Sequence, residues 1–187
     1  MFRAGTVGVA IGALLLALPA GAARIEGVEF AERLEAGGTA LELRGYGVLR
    51  YRVFFKGYAA ALYLAEGVEP ERMLEDVPRS LEIEYFWSIP AKAFQRATLD
   101  GIARNVDART LDSLRERIER FNQLYIDVQP GDRYALTYVP GVGTELALNG
   151  VTRGSIAGAD FAAALFAIWF GEAPFDAGLK ADLMGQS

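Results

Sequence analysis

The stretch Asp132-Arg-Tyr-Ala-Leu-Thr-Tyr-Val-Pro-Gly-Val-Gly-Thr-Glu-Leu-Ala-Leu-Asn-Gly-Val-Thr-Arg-Gly-Ser-Ile156 decides the fold class. Asp132 to Val139 alternates apolar and polar residues, the period of a half-buried strand. Pro140-Gly141-Val142-Gly143 interrupts the alternation as a turn, and Thr144 to Leu148 resumes it. Asn149-Gly150 is the strongest two-residue hairpin signal, because both residues tolerate the positive φ that such a turn requires. It leads into Val151–Ile156. Strands joined this tightly run antiparallel.

The same reading extends toward the N-terminus. Ile25 to Phe30 alternates, and Gly37-Gly38 marks a turn before the strand Thr39–Arg44. Val48 to Phe55 is rich in β-branched and aromatic residues. Ala59 to Leu64 is an apolar run that periodicity does not assign, and Ser80–Trp87 alternates with Leu81, Ile83 and Tyr85 together. Two helices follow. Ser88 and Pro90 open the first, in which Phe94, Ala97, Thr98, Gly101 and Ile102 have helical spacing. Asp107 caps the second, Ala108 to Leu124, with an apolar stripe from Leu111 to Tyr125 and a charged outer face. A third helix carries Phe161, Ala164, Leu165, Ile168 and Trp169 and ends at Gly171, and a short one runs from Asp176 to Met184. Strands, then helices, then a hairpin and helices predict an α+β fold, an antiparallel sheet with helices packed on one face.

Composition removes several function classes. The 187 residues suit one domain, and 52% of them are apolar. With no His and no Cys, neither a Ser-His-Asp nor a Cys-His nucleophile can be assembled. Zinc, copper and disulfides are not expected, and we expect neither a metal nor a cofactor. A formal charge of −5 repels phosphate backbones, so nucleic acid is not an expected partner.

Residues 1–22 read as a signal peptide, with Arg3 in the positive start, an apolar run from Ala4 to Leu18, and Ala20-Gly21-Ala22 as the cleavage site. The run falls short of the roughly 20 residues that span a bilayer, so no stable membrane span is expected after cleavage. Residues 24–187 then form one domain, placed in a periplasm or secreted.

Two stretches carry a resemblance. Gly45-Tyr-Gly-Val-Leu-Arg-Tyr-Arg-Val-Phe-Phe-Lys-Gly-Tyr-Ala-Ala-Ala-Leu-Tyr-Leu64 is one. The other is Tyr138-Val-Pro-Gly-Val-Gly-Thr144, continued by Leu148-Asn-Gly150, Ile156-Ala-Gly-Ala-Asp-Phe161 and Ile168-Trp-Phe-Gly171. Together they resemble the chalcone isomerase-like family, in its exported bacterial branch. The resemblance implies an open-faced β-sandwich with a cleft between sheet and helices. It also implies either cofactor-free ring closure or, as in the non-catalytic plant relatives, fatty-acid binding through an Arg and a Tyr. Arg50 matches the family's pocket Arg after a G-x-G turn, with Arg52 the alternative. Tyr58 stands where the isomerases have Thr and the fatty-acid binders Tyr, and Thr152 matches a late hydroxyl. Phe94 and Gly101 stand where the isomerases use a Tyr and an Asn, which argues against that activity.

Read physically, Arg50 and Tyr58 share one face of an unbroken strand with Arg52, Phe54 and Lys56, while Leu49, Tyr51, Val53 and Phe55 form the core face. Arg50, Arg52 and Lys56 thus read as a solvent-facing row, and only the resemblance turns Arg50 and Tyr58 toward a pocket. Gly57 permits a bulge that re-aims Tyr58. A guanidinium fork matches a carboxylate, and an apolar tunnel would hold an acyl chain at about 0.8 kcal/mol per buried methylene. Phe54, Phe94, Phe161, Leu165 and Trp169 are candidate lining residues, and Glu82 and Glu84 read as a solvated strand face. Three functions follow: a binder of a small amphipathic carboxylate such as a fatty acid, a cofactor-free isomerase or intramolecular lyase, and an envelope interaction module.

Overall fold

A computed structural model describes residues 22–51 and 55–186. The expected signal segment through residue 21, and Arg52 and Phe54, lie outside the described residues. At the Asn149-Gly150 turn both residues adopt left-handed φ, +51° and +77°. The turn pairs Leu148 with Val151. Strands β1 (Ala22–Ile25) and β2 (Val28–Ala31) form a separate two-stranded sheet. The main sheet has β3 (Arg33–Ala36), β4 (Thr39–Tyr51), β5 (Phe55–Ala65), β6 (Arg79–Tyr85), β7 (Arg133–Val139), β8 (Gly143–Leu148) and β9 (Val151–Ile156) side by side in chain order. Every neighbouring pair in it is antiparallel. Helices α1 (Ala91–Ala103) and α2 (Ala108–Asn122) fill the β6–β7 connection, and α3 (Ala159–Phe170) and α4 (Ala177–Leu183) follow β9.

The unassigned run Ala59–Leu64 is the centre of β5 and is fully buried on both faces, which explains why it shows no alternation. Its even residues Ala60, Leu62 and Leu64 join the helix-side core with Leu81, Ile83, Phe121, Phe161 and Leu165. Its odd residues Ala59, Ala61 and Tyr63 join a second core with Val28, Phe30, Leu41 and Val48, roofed by β1 and β2. The sheet therefore has a core on each side. Asp107 caps α2 by accepting from Thr110 N. Pro90 gives α1 no side-chain cap, and Asp127 instead accepts from Ala91 N at 2.8 Å.

Four expectations need correction. Ile25 to Phe30 is two strands, because Glu26 and Gly27 take φ of +51° and +84° and turn the chain. Residues 48–58 are not one strand: β4 and β5 form a hairpin in which Leu49 opposes Tyr58 and Arg50 opposes Lys56. Directly opposed residues share a face, so the face assigned by counting from Arg50 to Tyr58 is wrong. The Gly45-Tyr-Gly47 stretch is no turn but mid-strand, where a Cβ on Gly45 would lie 2.3 Å from the Asp182 carbonyl of α4. Lastly, Glu82 and Glu84 are half-buried, not a solvated face. Arg133 donates to both, at 3.1 and 2.7 Å, under the edge of β2, with its guanidinium 4.8 Å above the Phe30 ring. Burial raises the Glu82 pKa despite that pairing.

Candidate binding site

A cavity of about 270 Å³ lies between the sheet and α1 and α3. Side-chain alternation builds its floor: Leu49, Tyr58, Ile83, Tyr85, Tyr134, Leu136 and Leu146 all point from β4–β8 to the helix side. Its roof is Phe94, Ala97 and Thr98 of α1, Tyr125 after α2, and Ile168 and Trp169 of α3. Trp87 and Phe175 stand at the opening, 56% and 45% exposed.

Aromatic rings make most of the wall. Phe94 stacks on Tyr125 at 5.3 Å and meets Tyr85 and Tyr134 edge-on at 5.2 and 5.4 Å. Tyr58 and Tyr85 meet edge-on at 5.7 Å. These offset and T-shaped arrangements are the ones ring quadrupoles favour. Gly101, two turns beyond Phe94 on α1, lets the helix approach α3, where a Cβ would come within 2.9 Å of Ile168.

The polar atoms in this wall are few and neutral. Trp169 Nε1 donates to the Tyr58 hydroxyl at 3.0 Å, which leaves the Tyr58 proton available. Thr98 Oγ1 and the Tyr125 hydroxyl are 3.0 Å apart. Tyr134 is committed to the Ile126 backbone, accepting from its N–H and donating to its carbonyl. Burial pushes the Tyr58, Tyr85 and Tyr125 hydroxyls upward, so all three stay protonated at physiological pH. No acidic or basic side chain lines the cavity among the described residues.

The three residues singled out in the sequence separate. Tyr58 lines the cavity and is 9% exposed. Arg50 is on the surface, its side chain 53% exposed, and donates to Glu26 at 3.0 Å beside Lys56, which binds the same carboxylate. Thr152 is exposed on β9. Phe94 and Trp169 line the cavity, whereas Phe161 and Leu165 are plain core. Tyr85, Thr98, Tyr125, Tyr134, Trp87 and Phe175 were not foreseen as site residues.

A curled antiparallel sheet with helices over one face and an apolar cavity beneath them defines the class. The chalcone isomerase-like family matches residues 22–185, and the chain belongs to it. No curated protein matches the sequence. Among solved structures it is similar to a fatty-acid binding protein of Arabidopsis thaliana, with a TM-score of 0.69 and 15% identity over 88% of this chain and 96% of that one. At that identity the likeness speaks for the fold.

Proposed function

We propose that this protein binds a small amphipathic carboxylate such as a fatty acid, with the apolar part in the cavity under α1 and α3, and that it does so without catalysis. The observation that carries this reading is the cavity wall, which is apolar, largely aromatic and free of charge among the described residues. Its volume stands near the lower end of ligand pockets, roughly 300 Å³, which suits a narrow chain better than a bulky polycycle. The fatty-acid binding named for the Arabidopsis structure supports the same class of ligand. Tyr58 is the residue we assign to ligand contact from the sequence; Arg50 is assigned instead to the Glu26 pairing. Cofactor-free isomerisation is the weaker reading, because buried phenols held protonated supply no base near neutral pH.

We also propose that the chain works outside the cytoplasm after losing residues 1–22. No helix among the described residues is long and apolar enough to cross a membrane.

Native mass spectrometry of protein purified from its own cells tests the binding. We expect a bound acyl mass that disappears in Ala97→Trp, which places an indole in the roof from an exposed helix position. A ligand-free wild type that takes up no added fatty acid defeats the reading.

A further inference from the structure

A second, more open groove runs along α1 beside the cavity. The two share Ala93, Ala97 and Phe175 as walls, so they adjoin along α1. Beyond the shared alanines the groove is lined by Arg96, Asp100 and Arg104. Arg96 Nε lies 3.5 Å from the Asp100 carboxylate, and its side chain is 86% exposed. Arg104 uses Nε on the Asp100 backbone carbonyl at 3.2 Å, not on a carboxylate. The groove therefore holds two guanidinium groups against one carboxylate, in a chain whose formal charge is −5.

We infer that the ligand enters tail first, and that its ionised carboxylate rests outside the cavity on Arg96 and Arg104. This rests on the binding reading above. An ionised carboxylate inside the cavity would lose its hydration with only neutral hydroxyls around it, a cost that pairing or protonation must remove. At the groove the same group stays hydrated and meets planar donors suited to two oxygens. The side chains common to both places, Ala93, Ala97 and Phe175, are apolar, so an alkyl chain bridging them would meet no charged group there. The ligand class is thus an anionic single-chain amphiphile, recognised by charge at the mouth and by shape within.

The test compares dodecanoate with dodecan-1-ol, which share a chain and differ in charge, on the wild type, on Arg96→Gln/Arg104→Gln and on Tyr58→Phe. Circular dichroism would show that the exposed arginine replacements leave the fold intact. The double variant should bind dodecanoate roughly three- to tenfold more weakly, as expected for one or two exposed ion pairs, with dodecan-1-ol unchanged. Added salt should weaken only dodecanoate binding to the wild type. Tyr58→Phe should affect both ligands alike. The inference is overturned if the double variant holds dodecanoate as tightly as the wild type, or if Tyr58→Phe weakens dodecanoate selectively, which would put the head inside. If neither ligand binds the wild type, the binding reading itself falls and takes this inference with it.

Discussion

The Tyr58 hydroxyl accepts the Trp169 indole proton, and that bond ties β5 to α3 across the cavity. Tyr58→Phe keeps the ring and its contact with Tyr85 but leaves the indole N–H without its acceptor. We expect a loss of about 1 kcal/mol in urea unfolding, typical of one neutral hydrogen bond. Gly45 makes a sharper case. A Cβ there would stand 2.3 Å from the Asp182 carbonyl and 2.5 Å from that of Leu183, both backbone atoms that cannot rotate aside. Gly45→Ala should push α4 off β4 and cost about 3 kcal/mol, at the upper end of ordinary overpacking. Faster hydrogen exchange across Ala177–Leu183 would locate the damage, and unchanged exchange there would contradict the assignment.

At the scale of elements, the tip of the β1–β2 hairpin is fastened to the β4–β5 hairpin by Glu26, which accepts from Arg50 and Lys56. The Lys56 hydrogen bond chiefly, helped by Arg50, lowers the Glu26 pKa below its ordinary value of 4.5. A carboxylate lowered in the folded state adds stability that is fully present above its unfolded pKa and is lost as pH falls through the folded one. Thermal unfolding of Glu26→Gln should therefore fall below the wild type at pH 7, and the two should converge well below pH 4. A difference that persists in strong acid would rule out the ion pairs as its source. The same hairpins show what was legible beforehand. Asn149-Gly150 and Gly37-Gly38 announced their turns because their residues tolerate left-handed φ. Glu26 announces nothing of the kind, and the β4–β5 junction Arg52-Val53-Phe54 contains no Gly, Pro, Asn or Asp at all. With no turn residue to interrupt it, strand parity places Arg50 and Tyr58 on one face, whereas pairing sets Leu49 opposite Tyr58. The cavity was less legible still. Tyr85, Phe94, Tyr125 and Tyr134 come from separate elements, and no local spacing brings them together.

Across the whole molecule, the sheet separates a core that carries the cavity from one that only holds the fold. Phe30 is fully buried under the β1–β2 layer, against the Arg133 guanidinium and Tyr63, on the face away from the helices. Phe94 is half-buried on the other face, where four rings of the cavity wall converge. Replacing either by Leu removes ring area of similar size, so each should cost about 1 kcal/mol of stability in urea unfolding. Their effects on ligand should diverge. Phe94→Leu opens the roof and removes the stack on Tyr125, so dodecanoate should bind several-fold more weakly, as expected when packing around a buried chain loosens. Phe30→Leu should leave that affinity unchanged, because β5 residues alternate and its neighbours Ala59, Ala61 and Tyr63 point away from the cavity. Titration calorimetry beside unfolding curves separates the two quantities. Equal losses of affinity in both variants would mean that strain crosses the sheet, and that the hairpin layer belongs to the binding machinery.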